Sequence, residues 1–166
     1  ACSYGQTPIT DSNLAQAIET CLSTNPVDGM CSDSEYGAMP NWNMSQVTNL
    51  SYAFYERNEF NADVSNWEVS NVTNFERVFY KATSFNQPIG NWNLSNATDI
   101  RYMFSQATAF NQPIGNWNVI NIISYGATTG AFENADSFNQ DLSNWNVSNM
   151  TSIASMFNSA DSFNQD

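Results

Sequence analysis

Apolar and polar positions recur along this 166-residue chain with a long period. Tryptophan falls at Trp42, Trp67, Trp92, Trp117 and Trp145, at spacings of 25, 25, 25 and 28 residues. A Phe-Asn pair follows each one, at Phe60, Phe85, Phe110, Phe138 and Phe163, 18 residues after the tryptophan except in the fourth unit, where the gap is 21. A period in this range predicts stacked repeats, with three extra residues between Trp117 and Phe138. Around each tryptophan, apolar residues sit three before (Met39, Val64, Ile89, Ile114, Leu142) and two after (Met44, Val69, Leu94, Val119, Val147). The flanking Asn residues point the other way, so this alternation predicts a short strand. A polar turn follows, whose Ser (Ser45, Ser70, Ser95, Ser148) or Thr can cap a helix. Apolar residues then recur at offsets 0, 3, 7 and 10, as in Val72, Phe75, Phe79, Ala82 and in Ala97, Ile100, Phe104, Ala107. That is the spacing of one face of a short helix.

The expected architecture is therefore an α/β solenoid. Twenty-five residues cannot bury a core alone, so the units must stack, with strands in a parallel sheet on one side and helices on the other. At about 4.8 Å per layer, five units make a body on the order of 24 Å long. Residues 1–35 lie outside the repeat and form the expected capping segment, with a capped amphipathic helix over about 11–23 that presents Leu14, Ala17, Ile18, Cys21 and Leu22 as one stripe. Residues 36–166 hold about five repeats, the last one truncated. The chain stops four residues before the next tryptophan is due and does not begin with Met, so we expect a piece of a longer array.

The repeat resembles the BspA-like leucine-rich repeat of bacterial and microbial-eukaryote surface proteins, whose units read approximately M-F-x-x-A-x-x-F-N-Q-D-I-S-x-W-D-V-S-N-V-T-N-M. The strongest match runs from Phe138-Asn139-Gln140-Asp141 through Trp145-Asn146-Val147-Ser148-Asn149 to Thr151, together with Met103-Phe104 and Ala107. The resemblance covers residues 36 to 166. It implies a leucine-rich-repeat-like right-handed array with a helical N-terminal cap, a secreted or surface-anchored location, adhesion to host or matrix proteins, and no catalytic residues. The chain departs from the pattern with Asn for Asp beside Trp, and with Gln-Pro for Gln-Asp.

Composition narrows the chemistry. Four Lys plus Arg (Arg57, Arg77, Lys81, Arg101) stand against sixteen Asp plus Glu, a formal charge of -12, so nucleic acid and anionic membranes are poor partners. No apolar run is long enough to insert into a bilayer. The absence of histidine removes Ser-His-Asp triads, His-based proton transfer and the commonest zinc ligand. No cofactor is expected. Acid pairs such as Asp136 with Asp141 or Glu56 with Glu59 match no calcium-loop spacing and read as solvated charge. The cysteines, Cys2, Cys21 and Cys31, all lie in the cap. In an oxidising compartment two pair: Cys21–Cys31 closes the shorter loop, with Cys2–Cys31 and Cys2–Cys21 as alternatives. Ala1-Cys2 has the residue order of a lipoprotein cleavage site.

Twenty-five Asn residues supply most of the remaining polarity, and stacking turns them into columns. Asn41, Asn66, Asn91, Asn116 and Asn144 form one; Asn43, Glu68, Asn93, Asn118 and Asn146 form the next. Each either bonds layer to layer or faces a ligand. For the column after Phe (Asn61, Asn86, Asn111, Asn139, Asn164) an amide ladder is expected. The Thr column (Thr48, Thr73, Thr98, Thr151), interrupted by Ile123, has the spacing of an ice-binding array but lies at an expected helix start. Seven Asn-x-Ser/Thr sequons follow from the repeat consensus. In the irregular fourth unit, Ile120 and Ile123 occupy positions that are polar elsewhere, and Tyr125 follows in the stretch that holds Gly126 and Gly130; this insertion either carries an interface, with Ile120, Ile123 and Tyr125 in it, or folds its Ile residues onto the core. The expected function is an extracellular adhesin-type module that is not an enzyme and that binds a protein or glycan on another cell or matrix. The alternative is a stalk without a ligand of its own.

Overall fold

The computed structural model describes residues 5–165. Residues 1–4 and 166 lie outside that description, and with them the Ala1-Cys2 lipidation motif and the alternative pairings of Cys2. One α-helix, α1 (Leu14–Leu22), is followed by a single 3-10 turn over Met39–Asn41. Among the described residues there is no strand, and only two isolated parallel bridges occur, Asn49 with Asn74 and Asn74 with Asp99. The α/β solenoid of parallel strands and helices is therefore not what forms. A leucine-rich repeat needs a strand in every unit, so that assignment fails as well.

What stacks instead are layers built from turns. In the segment expected to be helical, alternate N–H groups leave the local chain: Leu50, Tyr52, Phe54 and Glu56 donate to the carbonyls of Asn74, Glu76, Val78 and Tyr80 at 2.7–2.9 Å. Between them, Ala53, Tyr55 and Arg57 close turns onto Leu50, Tyr52 and Phe54. The same alternation links Phe75, Arg77, Phe79 and Lys81 to Asp99, Arg101, Met103 and Ser105. An α-helix would need each N–H to bond four residues back. It is also barred by positive φ at two positions per layer, Tyr52 and Glu56, then Arg77 and Lys81, then Tyr102 and Gln106. The apolar spacing nonetheless works, because successive turns bring Val72, Phe75, Phe79 and Ala82 to the core as a helix face would.

The segment around each tryptophan alternates inward and outward but is bent by turns, for example Trp67 N to Val64 O at 3.1 Å and Val72 N to Val69 O at 2.9 Å. Its link between layers comes from the indole. Trp67, Trp92, Trp117 and Trp145 donate Nε1–H to the carbonyls of Met39, Val64, Ile89 and Ile114 of the layer before, at 2.9–3.1 Å. The core between these two segments is a double column of rings. Phe54, Phe79, Phe104, Phe132 and Phe157 stack at 5.3–5.7 Å between centroids. Phe60, Phe85, Phe110, Phe138 and Phe163 do so at 5.7–6.0 Å. Each fully buried ring contributes about 2–3 kcal/mol by removal from water. The layers approach closely at Gly90, where a Cβ would lie 2.3 Å from the carbonyl oxygen of Pro113.

The fourth layer keeps the pairing with a shift. Ile100, Tyr102, Phe104 and Gln106 donate to Ala127, Thr129, Ala131 and Glu133, an offset of 27 where the layers before use 24. Ser124, Tyr125 and Gly126 are the residues that bulge out. Ile122 is buried, Ile120 is half-buried and Ile123 is 52% exposed, so the insertion sends one Ile inward and leaves another in water.

The cap closes the first layer. α1 starts at Leu14, later than the expected 11, because residues 11–13 form a turn and Asn13 spends its side chain on Thr10 N and Pro8 O. Its buried stripe is Leu14, Ala17, Ile18, Cys21 and Leu22, and Cys21 is bonded to Cys31 with Cα atoms 5.2 Å apart. Asp11 replaces the layer that does not precede layer one. Thr73 N and Thr98 N donate to the carbonyls of Thr48 and Thr73 at 2.9 and 2.8 Å, whereas Thr48 N and Thr48 Oγ1 donate to the Asp11 carboxylate at 2.8 and 2.6 Å.

Two outcomes follow from this geometry. Ser159 sits at φ 54°, so Ser159→Gly should stabilise the protein by about 0.5 kcal/mol, the relief at positive φ exceeding the entropy that glycine adds to the unfolded chain; in a helix the same change would instead cost about 0.5 kcal/mol. Denaturant unfolding decides between them. Partial burial raises the Asp11 pKa, but the hydrogen bonds from the Thr48 side chain, Thr48 N and Asn49 N outweigh it and hold the carboxyl below its ordinary 3.8. A carboxyl with a lowered folded pKa stabilises above its unfolded pKa, and that contribution is lost as pH falls through the folded value. Asp11→Ala should therefore cost about 1 kcal/mol at pH 7, and the Tm difference from wild type should shrink steadily below pH 4. A difference independent of pH would show that the charge plays no part.

Candidate functional site

The Asn columns beside the tryptophans separate into two kinds once their bonds are traced. Asn43, Glu68, Asn93, Asn118 and Asn146 are exposed, yet each side-chain oxygen accepts the N–H two residues on, from Ser45, Ser70, Ser95, Ile120 and Ser148 at 2.9–3.2 Å. They are turn-forming residues, bonded within their own layer, with no ladder between layers. At Glu68 the Ser70 side-chain and backbone bonds hold the carboxyl below its ordinary 4.5. Asn41, Asn66, Asn91, Asn116 and Asn144 are also exposed, and their amides bond to no other described residue. Of the predicted Asn and Glu columns, this is the one whose side chains the fold leaves free.

Ladders between layers do exist, on other columns. The Oδ1 of Asn61, Asn86, Asn111 and Asn139 each accepts the backbone N–H of the next Asn in the column, at 2.9–3.0 Å. The same oxygens also accept from Gln87, Gln112, Gln140 and Gln165. The ladder expected after each Phe is present. A second, not anticipated, runs through Asn71, Asn96, Asn121 and Asn149, whose Nδ2 donates to Ser45, Ser70, Ser95 and Ile120 carbonyls. The Thr column spends its hydroxyls the same way: Thr73, Thr98 and Thr151 donate Oγ1–H to Thr48, Thr73 and Ile123 carbonyls. Those hydroxyls hold layers together, so they offer no free array to ice.

Sequence reasoning missed the face made by the turn segments, which gathers all four cations with Tyr52, Tyr55, Tyr80 and Tyr102. Arg77 donates to Tyr52 Oη at 2.7 Å and lies over the rings of Tyr52, Tyr80 and Tyr102 at 5.5, 6.0 and 4.6 Å. Tyr55 stacks on Tyr80 at 5.1 Å. Every cation is paired: Arg57 with Glu19, Arg77 with Glu76, Lys81 with Glu56, and Arg101 with Glu76 and Asp99. The Asp99 bond keeps the Arg101 guanidinium above its ordinary pKa despite partial burial. The 25-residue register of Tyr52, Arg77 and Tyr102 was the available signal.

In the fourth layer Ile123 and Tyr125 project from the insertion, Tyr125 at 86% exposure, while Ile120 is half-buried. Among the described residues no group of three or more His, Cys, Asp or Glu could hold a metal ion, and no helix is long and apolar enough to cross a membrane.

The layers have a counterpart among protein families. The family described as Mycoplasma protein of unknown function, DUF285, matches residues 27–131 and again 127–166. The chain belongs to this family. No curated protein and no solved structure matches it.

The two kinds of amide column predict opposite mutational behaviour. Asn86→Ala removes an acceptor of two bonds and should lower the unfolding free energy by about 1 kcal/mol, whereas Asn91→Ala should change it by less than about 0.5 kcal/mol. Urea titration of the two variants checks both.

Proposed function

We propose that the chain is an extracellular, adhesin-type module that recognises a protein or glycan of another cell or of the matrix. The reading is carried by the column Asn41, Asn66, Asn91, Asn116 and Asn144. Its amides face water and bond to no other described residue, although every unit keeps Asn there. The local turn would accept Ser, Asp or Gly equally well, so the amide itself is not explained by folding. An amide carries both a donor and an acceptor. Repeated once per layer, five of them offer a row of paired hydrogen-bonding groups to a partner.

Two further observations support the setting. The cap holds a Cys21–Cys31 disulfide, and such bonds persist in oxidising compartments outside the cytosol. The Phe-Asn-Gln and Trp-x-Val-Ser-Asn motifs resemble those of BspA-like surface proteins, an adhesive group, even though the strands and helices implied by that resemblance do not form. Binding to immobilised matrix proteins and to a glycan array should be lost in a variant carrying Asn66→Arg, Asn91→Arg and Asn116→Arg, with Tm within a few degrees of wild type. If wild type binds nothing, the chain is a stalk; if the triple variant binds as well as wild type, recognition uses another face.

A further inference from the structure

A cleft of about 630 Å3 opens between α1 and the first layer, lined on the cap side by Asp11, Leu14, Ile18 and Glu19 and on the layer side by Tyr52, Tyr55 and Arg57. It lies on the turn face, away from the Asn column. Its volume falls within the roughly 300–1,000 Å3 of small-ligand sites. Tyr52 is 47% exposed and Tyr55 37%, with ring centroids 5.4 Å apart and planes tilted by 45°.

The same column shows what such rings hold. Tyr52, Arg77 and Tyr102 occupy equivalent positions in successive layers, and the Arg77 guanidinium lies 5.5 Å from the Tyr52 centroid and 4.6 Å from that of Tyr102. Arg77 belongs to the layer after Tyr52, whereas the cleft lies on the cap side and does not include Arg77. Tyr52 thus meets one guanidinium from the second layer and borders an open cleft on the side facing α1. A guanidinium is planar and stacks on aromatic rings, which an ammonium does less well.

Charge favours the same occupant. Asp11 and Glu19 border the cleft against one cation, Arg57, which is already paired with Glu19. All four cations of the chain are neutralised by ion pairs, so the formal charge of -12 attracts a cationic partner at long range. We propose that this cleft docks an arginine side chain of a partner protein, set against Tyr52 and Tyr55 as Arg77 is set between Tyr52 and Tyr102, with Asp11, the rim carboxylate that no cation among the described residues pairs, as its counter-charge.

The test is a titration of the isotope-labelled chain with a blocked peptide of alternating Arg and Gly, followed by amide shifts. The same peptide with citrulline in place of arginine keeps the shape and removes the charge. The arginine peptide should shift the amides of Ala15, Ile18, Ala53 and Tyr55 saturably, and the citrulline peptide should bind at least tenfold more weakly. Tyr52→Leu and Tyr55→Leu should each weaken binding about fivefold, whereas Tyr125→Leu should leave it unchanged. Tyr52 has positive φ, so if its variant misfolds, as judged by tryptophan fluorescence, Tyr55→Leu carries the comparison. Shifts spread over the acidic surface without saturation, equal binding of the citrulline peptide, or unchanged affinity in the tyrosine variants would each overturn the proposal. Equal binding would also assign the cleft to a neutral ligand.

Discussion

The rest of the structure depends on one constraint: a carbonyl turned toward a neighbouring layer must find a donor there. Extended strands would meet it with a continuous ladder. Here the backbone meets it only at alternate residues, Leu50 to Asn74 and Tyr52 to Glu76 among them, and side chains supply the remainder. Indole Nε1, amide Nδ2 and threonine Oγ1 each take a carbonyl in the layer before. A buried carbonyl left without a partner costs about 1–3 kcal/mol, so each of these side chains is fixed in type by the gap it fills. That accounts for the Asn71, Asn96, Asn121 and Asn149 column, where a charged side chain could not serve as well.

The register of the repeat was legible in the sequence because burial depends on spacing, and the Trp and Phe residues at that spacing are buried, Phe163 of the last layer partly so. The backbone path was not legible, since a run of turns and a helix place apolar residues at nearly the same period. The distinguishing signal lay in the fourth unit. Gly130 and Asn134 occupy the two positions that have positive φ in every layer, and these are residue types that tolerate that conformation. In the regular units the same positions hold Tyr, Glu, Arg, Lys and Gln, which disguise it. Without those side chains' bonds to neighbouring layers, that conformation would cost roughly 1–2 kcal/mol at each position.

The candidate site was legible in part for a related reason. The alternation around Trp places Asn66 and Glu68 outward, but only the folded structure separates a side chain spent on Ser70 N from one spent on nothing. The tyrosine and arginine face was less legible because its column mixes residue types, Tyr52, Arg77 and Tyr102, although the 25-residue register aligns them in any stack. In the turn-built layers they come into line, and the surface divides into an amide side and an aromatic, ion-paired side.

The indole bonds give the stack a direction. Trp92 donates backward to Val64 and Trp117 backward to Ile89, so each layer is sealed by the one that follows. Detaching the later layer of a pair strips a carbonyl of its donor, whereas detaching the earlier one frees an indole that can turn to water. Under mechanical load the two ends of the stack are therefore unequal, and force entering from opposite ends would meet different first barriers.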